Sequence, residues 1–494
     1  MRARGYLIQH RDLRLVAHIF LLFRMLFRGL FRHPGLKASM NNLSAVNSEY
    51  ASTRPKFRPG LIPLLCLYII TCCVSLAFVA TSYADVIAFD SRHLFAALLI
   101  AVPFGFVALL FTVVPFSFGY FLGFYFYTMI LGYLWLIEFS RLSYDHPLAI
   151  ISIYLSALAF LAPALFITSR ISPRFALPAR AFETLLSLIL VVATATVAVG
   201  ALYNFKFANL DDIYKFRAGL EFPALLRYSI GMTSGVLLPF AFACFVERGH
   251  RWRAAIVLLL ILLLYPITLT KLTLFTPCWL LFLLVLSRLT EARTSVILSL
   301  LLPMLVGVAW MQVSQSALVS SPLMQYYVGI INARMIAMPS VALEVYNHFF
   351  STHDLTHFCQ INVVKPFVNC PYSQPLSVVM NGAYSFGNFN ASLFATEGIA
   401  SVGLALAPLS VLVCGMVIAL SNRLSSGLPP RFVILSAGVL PHIFLNVPFS
   451  TTLLSNGAAV LFLLWYVTPR DIFRGPSSPV MAEQQRRLPE MSMR

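Results

Sequence analysis

Nine basic residues stand apart from the segments where this chain concentrates its positive charge: Arg92, Arg141, Lys206, Lys215, Arg217, Arg227, Lys271, Arg334 and Lys365. A cation in or beside an apolar helix is costly unless it pairs or binds an anion. Lys271 follows Pro266 and the Thr268-Leu269-Thr270 strip, with no acid in that hairpin. Arg227 comes shortly after Asp211, Asp212, Arg217 and Glu221, and Arg334 lies in a stretch of helical spacing. Guanidinium forks and ammonium charges of this kind suit a pyrophosphate, because they neutralise it and stabilise its charge as it leaves. The structural alternative pairs Arg217 and Arg227 with the neighbouring acids, and Lys271 with Glu397 or Asp212. Glu397, Asp211, Asp212, His348, His353 and His357 are candidate bases toward a sugar hydroxyl. Glu397 has an equal alternative, capping the N-terminus of its own helix.

Two of the eight cysteines, Cys359 and Cys370, lie in the same polar segment, and the other six fall inside apolar stretches. One pair facing an oxidising compartment reads as a disulfide, worth about 3 kcal/mol for a loop this short on the chain-entropy model. Metal binding with His353 and His357 is the rival, but Cys-x10-Cys is not a finger spacing. No metal or cofactor is expected. Free thiols are the third reading.

The elements that must position these residues are set by composition. Of 494 residues, 59% are apolar, 14% aromatic and only 11% charged, and the mean hydropathy is +0.83. A soluble domain carries roughly a quarter charged residues, and a barrel would alternate polar with apolar positions. The chain reads as an all-α polytopic membrane protein of about twelve spans: 61–81, 94–114, 117–138, 148–168, 181–202, 224–245, 254–270, 272–287, 295–313, 396–420, 432–447 and 451–468. With the N-terminus in the cytoplasm, 26 of the 35 Lys and Arg residues fall on the cytoplasmic side. That split satisfies the positive-inside rule with both termini inside. The net charge of +17 is then a topology signal whose partner is the anionic headgroup, not nucleic acid.

Residues 1–60 form an N-terminal segment in which Arg24, Arg28 and Arg32 alternate with Phe, Leu and Met, the pattern of an interfacial helix. Residues 61–468 are the transmembrane domain and 469–494 a cytoplasmic tail. Within the domain, 315–394 is a long outer loop or lid between the ninth and tenth spans, with helical spacing over 322–350. Loops of this length are usually functional. The connections on the cytoplasmic side, about a dozen residues or fewer, leave no room for a nucleotide-binding module. No sequence repeat is evident, and the prolines are scattered without matched halves, which gives no support to an inverted-repeat transporter.

Taken together, Asn209-Leu-Asp-Asp-Ile-Tyr-Lys-Phe-Arg217, the Leu-Thr-Lys271 hairpin, Arg334 followed by Pro339 and Tyr346-Asn-His-Phe-Phe350, and Asn390-Ala-Ser-Leu-Phe-Ala-Thr-Glu-Gly398-Ile-Ala-Ser-Val-Gly403 resemble the bacterial oligosaccharide repeat-unit polymerases. These are the Wzy-type O-antigen and exopolysaccharide polymerases. The resemblance covers roughly residues 200–405 as a sparse pattern. Where that family often shows Asn-Ala-Asn followed by an acidic-Gly-aromatic-Ala pattern, this chain has Asn390-Ala-Ser392 and Glu397-Gly-Ile-Ala400. The resemblance implies a GT-C-like glycosyltransferase in the inner membrane, acting at its periplasmic face on polyprenyl-pyrophosphate-linked oligosaccharides as donor and acceptor. A chain-length regulator and a flippase are the protein partners it implies. Arg217, Arg227, Lys271 and Arg334 would then contact the pyrophosphate, Glu397 or a lid histidine the acceptor, and Tyr346, Tyr384, Asn388 and Asn390 the sugars. An O-antigen ligase, another lipid-linked glycosyltransferase and a flippase are the rival readings.

Overall fold

A computed structural model describes residues 57–172, 175–208, 213, 216, 219–317, 322–386 and 391–473, without the side chains of 314–317. The described residues are all-α, the exception being an isolated bridge between Ile87 and Ser140. Among the described residues eleven helices are long and apolar enough to cross a membrane, so the chain is a polytopic membrane protein. With no water in hydrocarbon to satisfy backbone groups, apolar runs of this length have to be helical.

The first nine are α1 (Leu61–Tyr83), α2 (Ser91–Val113), α3 (Phe118–Phe139), α4 (His146–Phe166), α5 (Ala179–Tyr203), α6 (Ala224–Glu247), α7 (Arg251–Thr268), α8 (Lys271–Leu289) and α9 (Ala292–Val313). They fall where hydropathy places them. Local polar residues start several: Ser117 accepts the Tyr120 amide and Asp145 the Leu148 amide. α3 is the axle of the bundle, with every residue from Phe118 to Leu136 buried.

Ion pairs gather where α1, α7 and α9 begin. Arg58 pairs with Glu291 at 3.1 Å, Arg431 with Glu247 at 2.6 Å, and Arg248 with Glu183. We call this end the basic face, and the opposite end the loop face.

Three departures from the hydropathy reading concern the second half of the chain. First, 315–394 is not simply a loop. Its first part is α10 (Pro322–Phe350), the additional helix of spanning length, and it is packed into the bundle instead of lying over it. Tyr327 donates to the Pro303 carbonyl, Tyr83 to that of Ala333, Ser340 to that of Met129, and Asn347 to the Tyr133 hydroxyl. These contacts fall along α9, α1 and the second half of α3, so both ends of α10 meet the loop-face half of the bundle.

Second, the spans expected at 432–447 and 451–468 are interrupted. They are four short helices after a loop helix α11 (Leu376–Tyr384) and the long α12 (Phe394–Ser425): α13 (Pro430–Ser436), α14 (Leu440–Asn446), α15 (Phe449–Leu454) and α16 (Ala458–Val467). Pro448, which lacks an amide and holds Val447 extended, separates α14 from α15, and Gly457 in the left-handed region opens α16.

Third, α12 is not one rod. Gly403 has φ 73° and ψ 171°, a conformation essentially restricted to glycine. Residues 394–402 fold back beside the next two turns, and the Ser410 hydroxyl reaches the Glu397 carbonyl at 2.7 Å. The interfacial helix expected before residue 57 and most of the tail lie outside the described residues.

Candidate functional site

Residues 394–402 form a re-entrant arm. Gly403 stands at the loop face, beside Leu355 and one residue before the Leu404 carbonyl that accepts from Ser152 in α4. The other end of the arm reaches into the bundle. The Phe394 ring packs on Phe126 and Phe160, with centroids at 5.1 and 5.8 Å, and Ser392 lies against Met129. The arm opens as a π-helix, Phe394–Ile399, closed by the Gly398 amide on the Leu393 carbonyl. Single π turns recur at functional sites because they re-aim the side chains they carry.

Glu397 is the acid that this turn carries, and it is buried. Its Oε1 accepts from the Ser450 amide at 3.0 Å and the Ser450 hydroxyl at 2.7 Å, and its Oε2 from Thr396 at 2.6 Å. Ser450 is the second residue of α15. The carboxylate therefore does cap a helix N-terminus, but that of α15 and not of its own helix. Three donors leave a carboxylate of about four lone-pair sites with one acceptor position to spare.

Glu397 lines a cavity of about 230 Å³, whose inner wall includes Thr396, Ser401, Ser450 and Tyr346 as well. Tyr346, on α10, is fully buried, and its hydroxyl has no hydrogen-bond partner among the described residues. The outer wall is the loop after α10, through Phe358, Gln360, Ile361 and Leu376. Cys359 and Cys370 stand at disulfide distance within that loop, their Cα atoms 5.3 Å apart. The amides of Thr356 and His357 donate to the carbonyls of Ala400 and Ser401 and so tie the loop to the arm. His357 and Phe358 both take positive φ to make this turn.

Of the residues singled out by sequence, Glu397 and Tyr346 are brought together here. The histidines are not. His348 pairs through Nδ1 with the Tyr384 hydroxyl at 2.6 Å, which occupies that predicted sugar contact as well. Burial first, and the Glu344 carboxylate second, push the Tyr384 hydroxyl up to about 12, so it stays protonated at neutral pH. His353 stacks on Phe349 at 3.9 Å and shares with His357 a wider depression of about 470 Å³ beside Asp354 and Asn369.

The expected convergence of cations on one cavity is not seen at Glu397. Arg227 is exposed on α6, Lys271 is the first residue of α8, and Arg334 is on α10; none lines this cavity. The linear pattern placed them on one face of the membrane, which is a much weaker condition than placing them in one pocket. Arg217, Asn388 and Asn390 lie outside the described residues.

Sequence reasoning passed over Glu344. It is buried on α10 and accepts from the hydroxyls of Ser140 and Tyr144, the latter at 2.7 Å. Tyr133 joins Tyr144, at 3.1 Å, to Asn347. A lone acid within an apolar helical stretch was the signal. Ser450 had none, since only the break before α15 presents its amide. No family model, no curated protein and no solved structure matches this chain, and the chemistry of the site rests on this geometry alone.

Proposed function

We propose that the chain is a membrane glycosyltransferase that polymerises polyprenyl-pyrophosphate-linked oligosaccharide repeat units at the loop face, with the acceptor hydroxyl at Glu397. The observation that carries this reading is the buried Glu397 carboxylate, held by three donors and lining a cavity between the arm, α10 and α15. In the proposed step the acceptor oxygen bonds the donor's anomeric carbon, and the bond from that carbon to the pyrophosphate oxygen breaks. The hydroxyl proton passes to Glu397, and polyprenyl pyrophosphate departs. A positioned base contributes about 10²–10⁴ in rate to such a transfer.

The loop face is taken as periplasmic, in the inner membrane, with both termini cytoplasmic. The clustering of ion-paired arginines at the opposite end supports this, as does a cysteine pair that calls for an oxidising compartment. The pyrophosphate role of Arg217, Arg227, Lys271 and Arg334 has their charge behind it and no cavity geometry. Lys271→Met tests it directly: abolished polymer at normal membrane levels supports the role, and full-length polymer removes it.

A second reading, transport of the same lipid-linked units, is favoured by the re-entrant arm and the interrupted helices, which are common in transporter sites. The glycan phenotype of a deletion strain separates the two. Single repeat units on the acceptor lipid identify a polymerase, units trapped on the inner leaflet a flippase, and unattached long chains a ligase.

A further inference from the structure

At the opposite end of the molecule from Glu397, the turn from α6 into α7 reads Glu247-Arg-Gly-His-Arg-Trp-Arg253. It brings together Arg248, Arg251 and Arg253, and packing adds two more arginines. α7 packs on α8, and α8 on α13, so Arg288, in the last turn of α8, comes within Coulombic range of Arg251 and Arg431. Among the described residues, two acids serve these five guanidiniums. Glu183 on α5 pairs with Arg248 and, at 3.8 Å, with Arg253. Glu247 gives both its oxygens to Arg431, which donates from Nε at 2.6 Å and from Nη2 at 2.7 Å. The terminal segments add base and not the acid to offset it: 1–56 hold 10 Lys and Arg against 2 Asp and Glu, and 474–494 hold 4 against 2. Like charges gathered at helix ends repel unless an anion joins them. Guanidinium forks match the oxygens of a phosphate. Trp252 gives the depth of the patch. It stands between Arg251 and Arg253 at the start of α7 and is 83% exposed, and a Trp at the end of an apolar span sits at headgroup level. A free phosphate has no use for that ring, whereas a lipid does.

We propose that Arg251, Arg288 and Arg431 hold the phosphate of an anionic glycerophospholipid from the leaflet that the basic face meets, with Trp252 against its glycerol and upper acyl chain. Basic pockets between spanning helices are a recurrent setting for such headgroups. The site is independent of the chemistry proposed at Glu397. Native mass spectrometry of the full chain, released from nanodiscs of phosphatidylethanolamine and phosphatidylglycerol in equal parts, tests it. The wild type is expected to retain phosphatidylglycerol in preference to phosphatidylethanolamine, and Arg251→Gln with Arg288→Gln to lose that preference several-fold. Arg170→Gln with Arg180→Gln removes the same charge from exposed positions elsewhere on this face and should leave it intact. Arg251→Gln alone changes an exposed residue at the start of a helix and keeps the test open if the double variant does not fold. Trp252→Ala should shorten retention without abolishing the preference. Equal losses in the two double variants would reduce the site to diffuse attraction and overturn the proposal. So would equal retention of both lipids by the wild type, or displacement of phosphatidylglycerol by inorganic phosphate, which would make this a site for the free ion.

Discussion

At the residue scale, two buried carboxylates decide how the loop-face half of the bundle is used. Glu397 holds the arm to the N-terminus of α15, and Glu344 holds α10 to the turn between α3 and α4. Their chemistry differs because Glu397 faces a cavity, whereas hydroxyls from Ser140 and Tyr144 close over Glu344. Glu397→Gln is isosteric and removes the charge. It is expected to lower polymer formation by about 10²–10⁴ while the protein still reaches the membrane, measured as glycan length on a gel against immunoblotted protein. Glu344→Ala is expected to act on stability instead, since it removes the acceptor shared by the half-buried Ser140 and Tyr144 hydroxyls, a loss of about 1–3 kcal/mol. Its readout is SDS-titrated unfolding, and an unchanged midpoint would contradict the structural role. Glu344 was legible as a lone acid among apolar residues. Apart from the adjacent Thr396, the partners of both acids were not, because they come from positions 53 to 204 residues away.

At the element scale, the conformations that matter are those a hydropathy plot cannot register. Gly403 allows the chain to turn back and set Glu397 beside Ser410. Gly403→Ala would place a Cβ in a conformation costing about 1–3 kcal/mol. The strain falls on the hinge, so the arm should loosen from α15 while the outer rim of the bundle stays folded. Hydrogen exchange at the Ser450 amide is expected to accelerate, with no change at α1 or α9. Elsewhere, single polar side chains lock elements together. Asn422 accepts the Gly119 amide at 2.6 Å and donates to the Ala164 carbonyl at 2.7 Å, joining α12, α3 and α4. Asn422→Leu orphans both backbone groups, at a cost of about 1–3 kcal/mol for each, and should lower the unfolding midpoint more than any substitution on the lipid-facing side of α2. Arg470 works similarly at the basic face, donating to the carbonyls of Leu424, Trp465 and Thr468. A cation placed where helices end meets the negative end of their dipoles.

At the scale of the whole molecule, the bundle is a shell around α3 with its basic end ion-paired and its other end roofed by a crosslinked loop. If the roof governs entry, replacing Cys359 and Cys370 together by Ser should open the cavity. The chain-entropy cost is about 3 kcal/mol, confined to the loop because the bundle beneath has its own core. A cysteine placed at Thr451, which lines the cavity, is then expected to react faster with a small polar thiol reagent than in the protein that keeps the pair, both in a background without the six remaining cysteines. Equal rates would show that the loop does not gate the site. Membrane-impermeant labelling of His353→Cys from the outside of intact spheroplasts tests the orientation; reaction only after lysis would put the loop, and the site, on the wrong side for the proposed chemistry.

What composition and hydropathy determined by themselves was the solvent and therefore the architecture: a chain this apolar must be helical in lipid, and nine of its spans lie where long apolar runs begin and end. The cysteine pair was also legible, being set apart by the polarity of its segment. The fate of 322–350, the breaks after residue 429 and the arm at 394–402 belonged to tertiary structure. Apolar content states only that a segment avoids water, and a helix across the bilayer, one packed along half of a bundle, and a re-entrant turn avoid it equally well. The site shows the same limit. Sequence placed cations, histidines and one glutamate on the same face of the membrane, but only the packing of α10 and α15 around the arm selected Glu397 and Tyr346 for one cavity and left Lys271, Arg227 and Arg334 off its walls.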